Sequence, residues 1–104
     1  MEIEIYAAEG VERSEALDEH IRRKLARVER HFGDRLTRVR VHLKDVNAGK
    51  GGVDTACSIE ARPSGLDPVG VEAMDTDAYR SVQDAVAKLD RALGHRLGRD
   101  EDRR

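Results

Sequence analysis

The stretch RVRVHLK, Arg38–Lys44, sets Arg38, Arg40, His42 and Lys44 alternately with Val39, Val41 and Leu43. Successive side chains on a strand point to opposite faces, so this period of two predicts a strand with an apolar row inward and a basic row outward. Upstream, EIEIYAA alternates Ile3, Ile5 and Ala7 with Glu2, Glu4 and Tyr6 until Glu9-Gly10 interrupts it, which predicts a first strand. Between the two strands the period changes. Leu17, Ile21, Leu25, Val28 and Phe32 recur at spacings of three and four, with Ser14 placed to cap the start and Gly33 to stop the end, so a helix joins the strands.

Downstream of the quoted strand, the polar loop DVNAGKGGVD (45–54) leads to TACSIEAR (55–62), where Thr55, Cys57, Ile59 and Ala61 form the inward row of a third strand. The turn PSGLDP precedes a fourth, carried by Val69, Val71 and Ala73 and ending at Asp75. Asp75 or Asp77 then caps a second helix with the stripe Ala78, Val82, Val86, Leu89 and Leu93, its last turns weakened by Gly94 and Gly98. The order β-α-β-β-β-α, with one apolar stripe per helix, predicts a two-layer α+β sandwich: a four-stranded sheet with both helices on one face. The helical connection makes strands one and two parallel neighbours, and the short turns make the rest antiparallel. A single domain is expected over residues 1–97, followed by a short charged tail over 98–104.

Composition narrows the function classes. The 104 residues are 38% apolar and 38% charged, with only Tyr6, Phe32 and Tyr79 as aromatics, so the core must be mostly aliphatic. Nineteen Lys and Arg against 21 Asp and Glu give a net charge of -2, so any nucleic-acid role has to come from local segregation of charge. A lone cysteine, Cys57, excludes an internal disulfide and a cysteine-based zinc cluster. The N-terminus lacks the basic-then-apolar pattern of a signal peptide, so a cytoplasmic protein with no membrane segment is expected.

No constellation points to catalysis. NAGKGG lacks the G-x-x-x-x-G-K-[ST] spacing of a phosphate loop, and no helix follows it to receive a phosphate. His20, His31, His42 and His95 form no i, i+4 ligand pair, so no metal is expected. Cys57 falls on an inward row, where a thiol is ordinarily inert. No enzyme, cofactor or small-molecule substrate is expected.

The helices segregate their charges. At about 100° per residue, His20, Lys24, Arg27 and His31 fall on one flank of the first helix, with Arg23 just beyond; Glu15, Asp18 and Glu29 fall on the other, with Arg22 among them. On the second helix Ser81, Lys88, His95 and Arg99 share a flank, with Arg91 nearby, while Gln83 and Asp90 take the opposite one. Solvated helices usually mix their charges, so two basic flanks predict one basic groove or ridge, against the alternative of a chance bias in Arg-rich helices. For the sheet, Glu2, Glu4 and Glu60 are placed to pair with Arg38, Arg40, His42 and Lys44, which favours a solvated, internally paired face. Arg38, Arg40, Lys44 and Lys50 are therefore only secondary candidates for RNA contact.

The segments VERSEALDEHIRRKLARVERHF, VRVHLKDVNAGKGGVD and MDTDAYRSVQDAVAKLDRAL together resemble the short form of the ribosome hibernation-promoting factor family, also called ribosome-associated inhibitors or ribosomal subunit interface proteins. The resemblance runs from about Glu2 to Arg96. Its most specific element is D-x-Y followed by K-L-x-R-x-L, here Asp77, Tyr79, Lys88, Leu89, Arg91 and Leu93; K-x-x-R in the first helix is Lys24 and Arg27. It implies a bacterial protein that binds the small ribosomal subunit and its ribosomal RNA in the tRNA and mRNA channel, blocking translation by occlusion in slow growth or stress. The contacts implied are Arg23, Lys24, Arg27, Lys88, Arg91 and His95, with His31 and Arg99 added by their flanks. Off the ribosome a monomer is expected. The chain departs from the usually basic family in its slight net acidity and in Asp84, Asp90 and Gly94, where lysine-rich sequence is expected. A general double-stranded RNA binder and a protein-interaction module stay open as alternatives.

Overall fold

The computed structural model describes residues 1–8, 10–46 and 54–98. Its elements are β1 (Glu2–Ala7), α1 (Glu15–Phe32), a 3-10 turn (Gly33–Arg35), β2 (Leu36–Asp45), β3 (Thr55–Pro63), β4 (Val69–Asp75) and α2 (Ala78–Leu97). The sheet order is β1-β2-β3-β4, with β1 parallel to β2 and the other pairs antiparallel. This is the expected β-α-β-β-β-α sandwich.

Register places the inward rows side by side. Ile5 pairs with Val41, Val41 with Ile59, and Ile59 with Val71, so one face of the sheet is a continuous aliphatic surface. Leu17, Ile21, Leu25, Val28 and Phe32 of α1 and Val82, Ala85, Val86, Leu89 and Leu93 of α2 close over it in one core. Each fully buried Leu, Ile, Val or Phe contributes about 1.5–3 kcal/mol by leaving water, which drives both helices to the same face.

The helix ends follow from side-chain caps. Ser14 Oγ accepts from the Leu17 N–H at 3.1 Å, and Asp77 Oδ1 accepts from the Tyr79 N–H at 2.8 Å, while Asp75 Oδ1 accepts from the Asp77 N–H. Of the two expected caps for α2, Asp77 is the residue that caps, and Asp75 braces it. Gly33 ends α1 without entering the left-handed region: at φ -53° it leads into the 3-10 turn. β2 therefore begins at Leu36, earlier than the alternation showed, because the irregular register between Leu36 and Arg38 hides its first pair, Leu36 with Pro63. At the far end, α2 runs through Gly94 to Leu97 and stops at Gly98, whose φ of +72° suits a residue with no Cβ. Arg35 donates to the carbonyls of Leu97 and Gly98, supplying the last turn with the hydrogen bonds a helix end lacks. Lys50 and most of the DVNAGKGGVD loop lie outside the described residues, as does Arg99.

Candidate nucleic-acid interface

The two helices lie against each other, and α2 also rests on β3 and β4. Two histidines stitch the seam between them. His20 Nε2 donates to the Tyr79 carbonyl at 3.0 Å, its ring edge-on to the tyrosine, and His31 Nδ1 lies 2.9 Å from Asp90 Oδ1. An ionised carboxylate only accepts, so Nδ1 of His31 carries the hydrogen in that bond. Both histidines are 9% exposed. His31 was expected on an exposed basic flank; it is instead a buried link, because the flank of α1 that carries it is the one facing α2.

Outside the seam the groove opens between Arg23, Lys24 and Arg27 on α1 and Gln83, Ala87 and Asp90 on α2, with Val86 also on its wall. Among the described residues the two basic flanks do not join. The stripe Val82, Ala85, Val86, Leu89 and Leu93 seats α2 so that Gln83 and Asp90 meet α1, and the opposite flank turns toward β4. Lys88 lies there, its Nζ donating to the Glu72 backbone carbonyl at 2.9 Å. Arg91 and His95 are exposed on the outer surface of α2. Among the described residues α1 alone thus supplies the groove's cations: Arg23 and Arg27 are exposed and Lys24 half-buried. Arg80 was not singled out from sequence, yet it is exposed on α2 eleven residues before Arg91. At about 100° per residue that interval returns to nearly the same side of the helix, and it was the available signal.

On the opposite face of the sheet Arg38 and Arg40 are paired with carboxylates of β1, as the alternation of charge across strands predicts, while Lys44 and Arg62 are exposed. Arg40 Nε donates to Glu4 Oε1 at 2.9 Å, and Arg38 Nε lies 3.7 Å from carboxylate oxygens of both Glu2 and Glu4. The Tyr6 hydroxyl donates to Glu4 Oε1 at 3.0 Å, and its ring stacks on His42. The Tyr6 hydroxyl first, and then the Arg40 guanidinium, hold the Glu4 carboxyl below its ordinary range. Glu60 stands opposite Arg40 in register, but the guanidinium goes to Glu4. Lys44 stands opposite Ala56. Arg38 and Arg40 are therefore engaged, and a phosphate would have to displace a carboxylate to reach them.

Among the described residues no group of His, Cys, Asp and Glu converges as a metal site, and no helix is long and apolar enough to cross a membrane. Burial, and then the charge of Glu72, push the Cys57 thiol up to about 12, so no nucleophilic thiolate forms there near neutrality.

These features define an α+β sandwich whose exposed cations sit mainly on its helices. Residues 4–100 match the profile of the Sigma 54 modulation protein / S30EA ribosomal protein family, and the chain belongs to that family. Among solved structures it is similar to a ribosomal subunit interface protein from Coxiella burnetii, with 21% identity and a TM-score of 0.79 over 92% of this chain and 97% of that one. It is also similar to the N-terminal domain of Protein Y from Thermus thermophilus, with 24% identity and a TM-score of 0.75 over 91% of this chain and 98% of that one. At those identities the likeness is one of fold. A search of curated proteins gave no significant match.

Proposed function

We propose that the protein is a ribosome-associated translation inhibitor of the hibernation type, binding ribosomal RNA of the small subunit in the tRNA and mRNA channel and blocking translation by occlusion. The observation that carries this reading is the family match over residues 4–100. The geometry supplies a surface suited to it: Arg23, Lys24 and Arg27 along the groove, with Arg91 and His95 on the outer side of α2. These cations contact phosphates and carry little base information, so binding weakens steeply with salt and reads the shape of the RNA. Lys88, although bonded to a backbone carbonyl, keeps an exposed ammonium that can turn to a phosphate. Arg99 and Lys50 complete the proposed set. The protein works in the cytoplasm, over a binding domain spanning residues 1–97, without a cofactor. It is a monomer off the ribosome, and a single species of about one chain's mass in sedimentation velocity is the result expected.

Chemical footprinting of small-subunit RNA with and without the protein tests the location. Protection of nucleotides lining the tRNA and mRNA channel is expected. Protection confined to the outer surface of the subunit would contradict occlusion and leave only ribosome association.

A further inference from the structure

Into a groove that α1 lines with Arg23, Lys24 and Arg27, α2 contributes a buried anion. The Asp90 carboxylate is 3% exposed, with Oδ1 on His31 Nδ1 at 2.9 Å and Oδ2 3.7 Å from Arg27 Nε. We propose that Asp90 is an internal counter-anion that restrains the groove's hold on RNA phosphate by competing for Arg27. This rests on the reading of the groove as an RNA surface.

The two oxygens are held differently. The His31 bond is short and buried, so it fixes the carboxylate in the seam. The approach of Arg27 at 3.7 Å is too long for a hydrogen bond, and its side chain is 62% exposed. The guanidinium is thus drawn toward α2 without being locked there, and it remains free to swing outward. Because the carboxylate is out of water, salt screens its field at Arg27 less than that of a surface acid. A phosphate entering the groove meets a cation already partly neutralised. Asp90 itself touches no ligand; it acts by positioning Arg27 and offsetting its charge.

The test compares binding of small ribosomal subunits across a salt series for the parent, Asp90→Asn, Arg27→Gln and the double variant. Asn keeps the volume of Asp90 and an oxygen for His31 while removing the charge. Asp90→Asn is expected to bind about two- to fivefold tighter, the range of a partly exposed ion pair, with a steeper salt dependence. Arg27→Gln is expected to bind more weakly with a shallower slope, and in that background Asp90→Asn should lose its gain. Unchanged or weaker binding by Asp90→Asn, beside a weakened Arg27→Gln, overturns the role of Asp90 and leaves the groove as the RNA surface. A gain that persists without Arg27 also overturns it. If neither single variant moves binding, the groove is not the RNA surface and the inference falls with that reading. Should Asp90→Asn fold poorly, His31→Leu with Asp90→Leu removes both members of the pair together and is expected to give the same tightening; its absence counts against the proposal.

Discussion

Cys57 and His31 both sit in the interior, the thiol under the sheet's inner face and the imidazole in the seam between the helices. Cys57 lies on the inward row of β3, and period two alone puts it in the core. Its thiol is pushed up to about 12 from an ordinary 9.0. The unfolded thiol ionises first, so between about pH 9 and 12 the unfolded chain sheds a proton that the folded chain keeps, and stability falls as pH rises, by at most about 1.4 kcal/mol per unit. Cys57→Ala removes that loss. The difference in urea midpoint between parent and Cys57→Ala should therefore shift in favour of the variant from pH 8 to pH 10.5, whereas a constant difference would show that the thiol ionises alike in both states. His31, by contrast, stands at the edge of the α1 stripe, where sequence cannot say whether water or another helix lies beyond. Its partner Asp90 is 59 residues away, and no periodicity within either helix links them.

The strands and helices were legible because their apolar residues keep strict periods and their caps, Ser14 and Asp77, are ordinary ones. The ends of β2 and α2 were less so. An irregular register hides the start of β2, and the end of α2 depends on Arg35, a residue of the 3-10 turn that reaches across to its carbonyls. The lateral order of the helices was not legible either. A helical stripe has two equivalent flanks until a neighbour is placed beside it, and α1 turned out to stand on the Asp90 side of α2 rather than the Lys88 side. The cations on α1 consequently carry more of the proposed interface. Lys24→Glu with Arg27→Glu should abolish pelleting with small subunits while the chain still folds, with the melting temperature somewhat lowered because Glu at 27 sets a second carboxylate beside the buried Asp90. Arg91→Glu alone is expected to weaken it less. Unaltered pelleting by the double variant would move the RNA surface off α1.

For the whole molecule, the net charge of -2 conceals a division of labour. Glu2 and Glu4 hold Arg38 and Arg40 on the sheet face, where Lys44 and Arg62 are exposed, while most of the exposed cations among the described residues lie on the helices. The open β4 edge carries the Lys88 ammonium on the Glu72 carbonyl, a charge of the kind that discourages strand addition by a second chain. On the proposed function, this helix face recognises the small subunit. Co-sedimentation of the purified protein with small ribosomal subunits across a salt series, in the presence of excess generic RNA duplex, is the experiment that decides it. Pelleting that survives the duplex and declines steeply with salt is the predicted result; pelleting abolished by the duplex, or absent even at low salt, would contradict it.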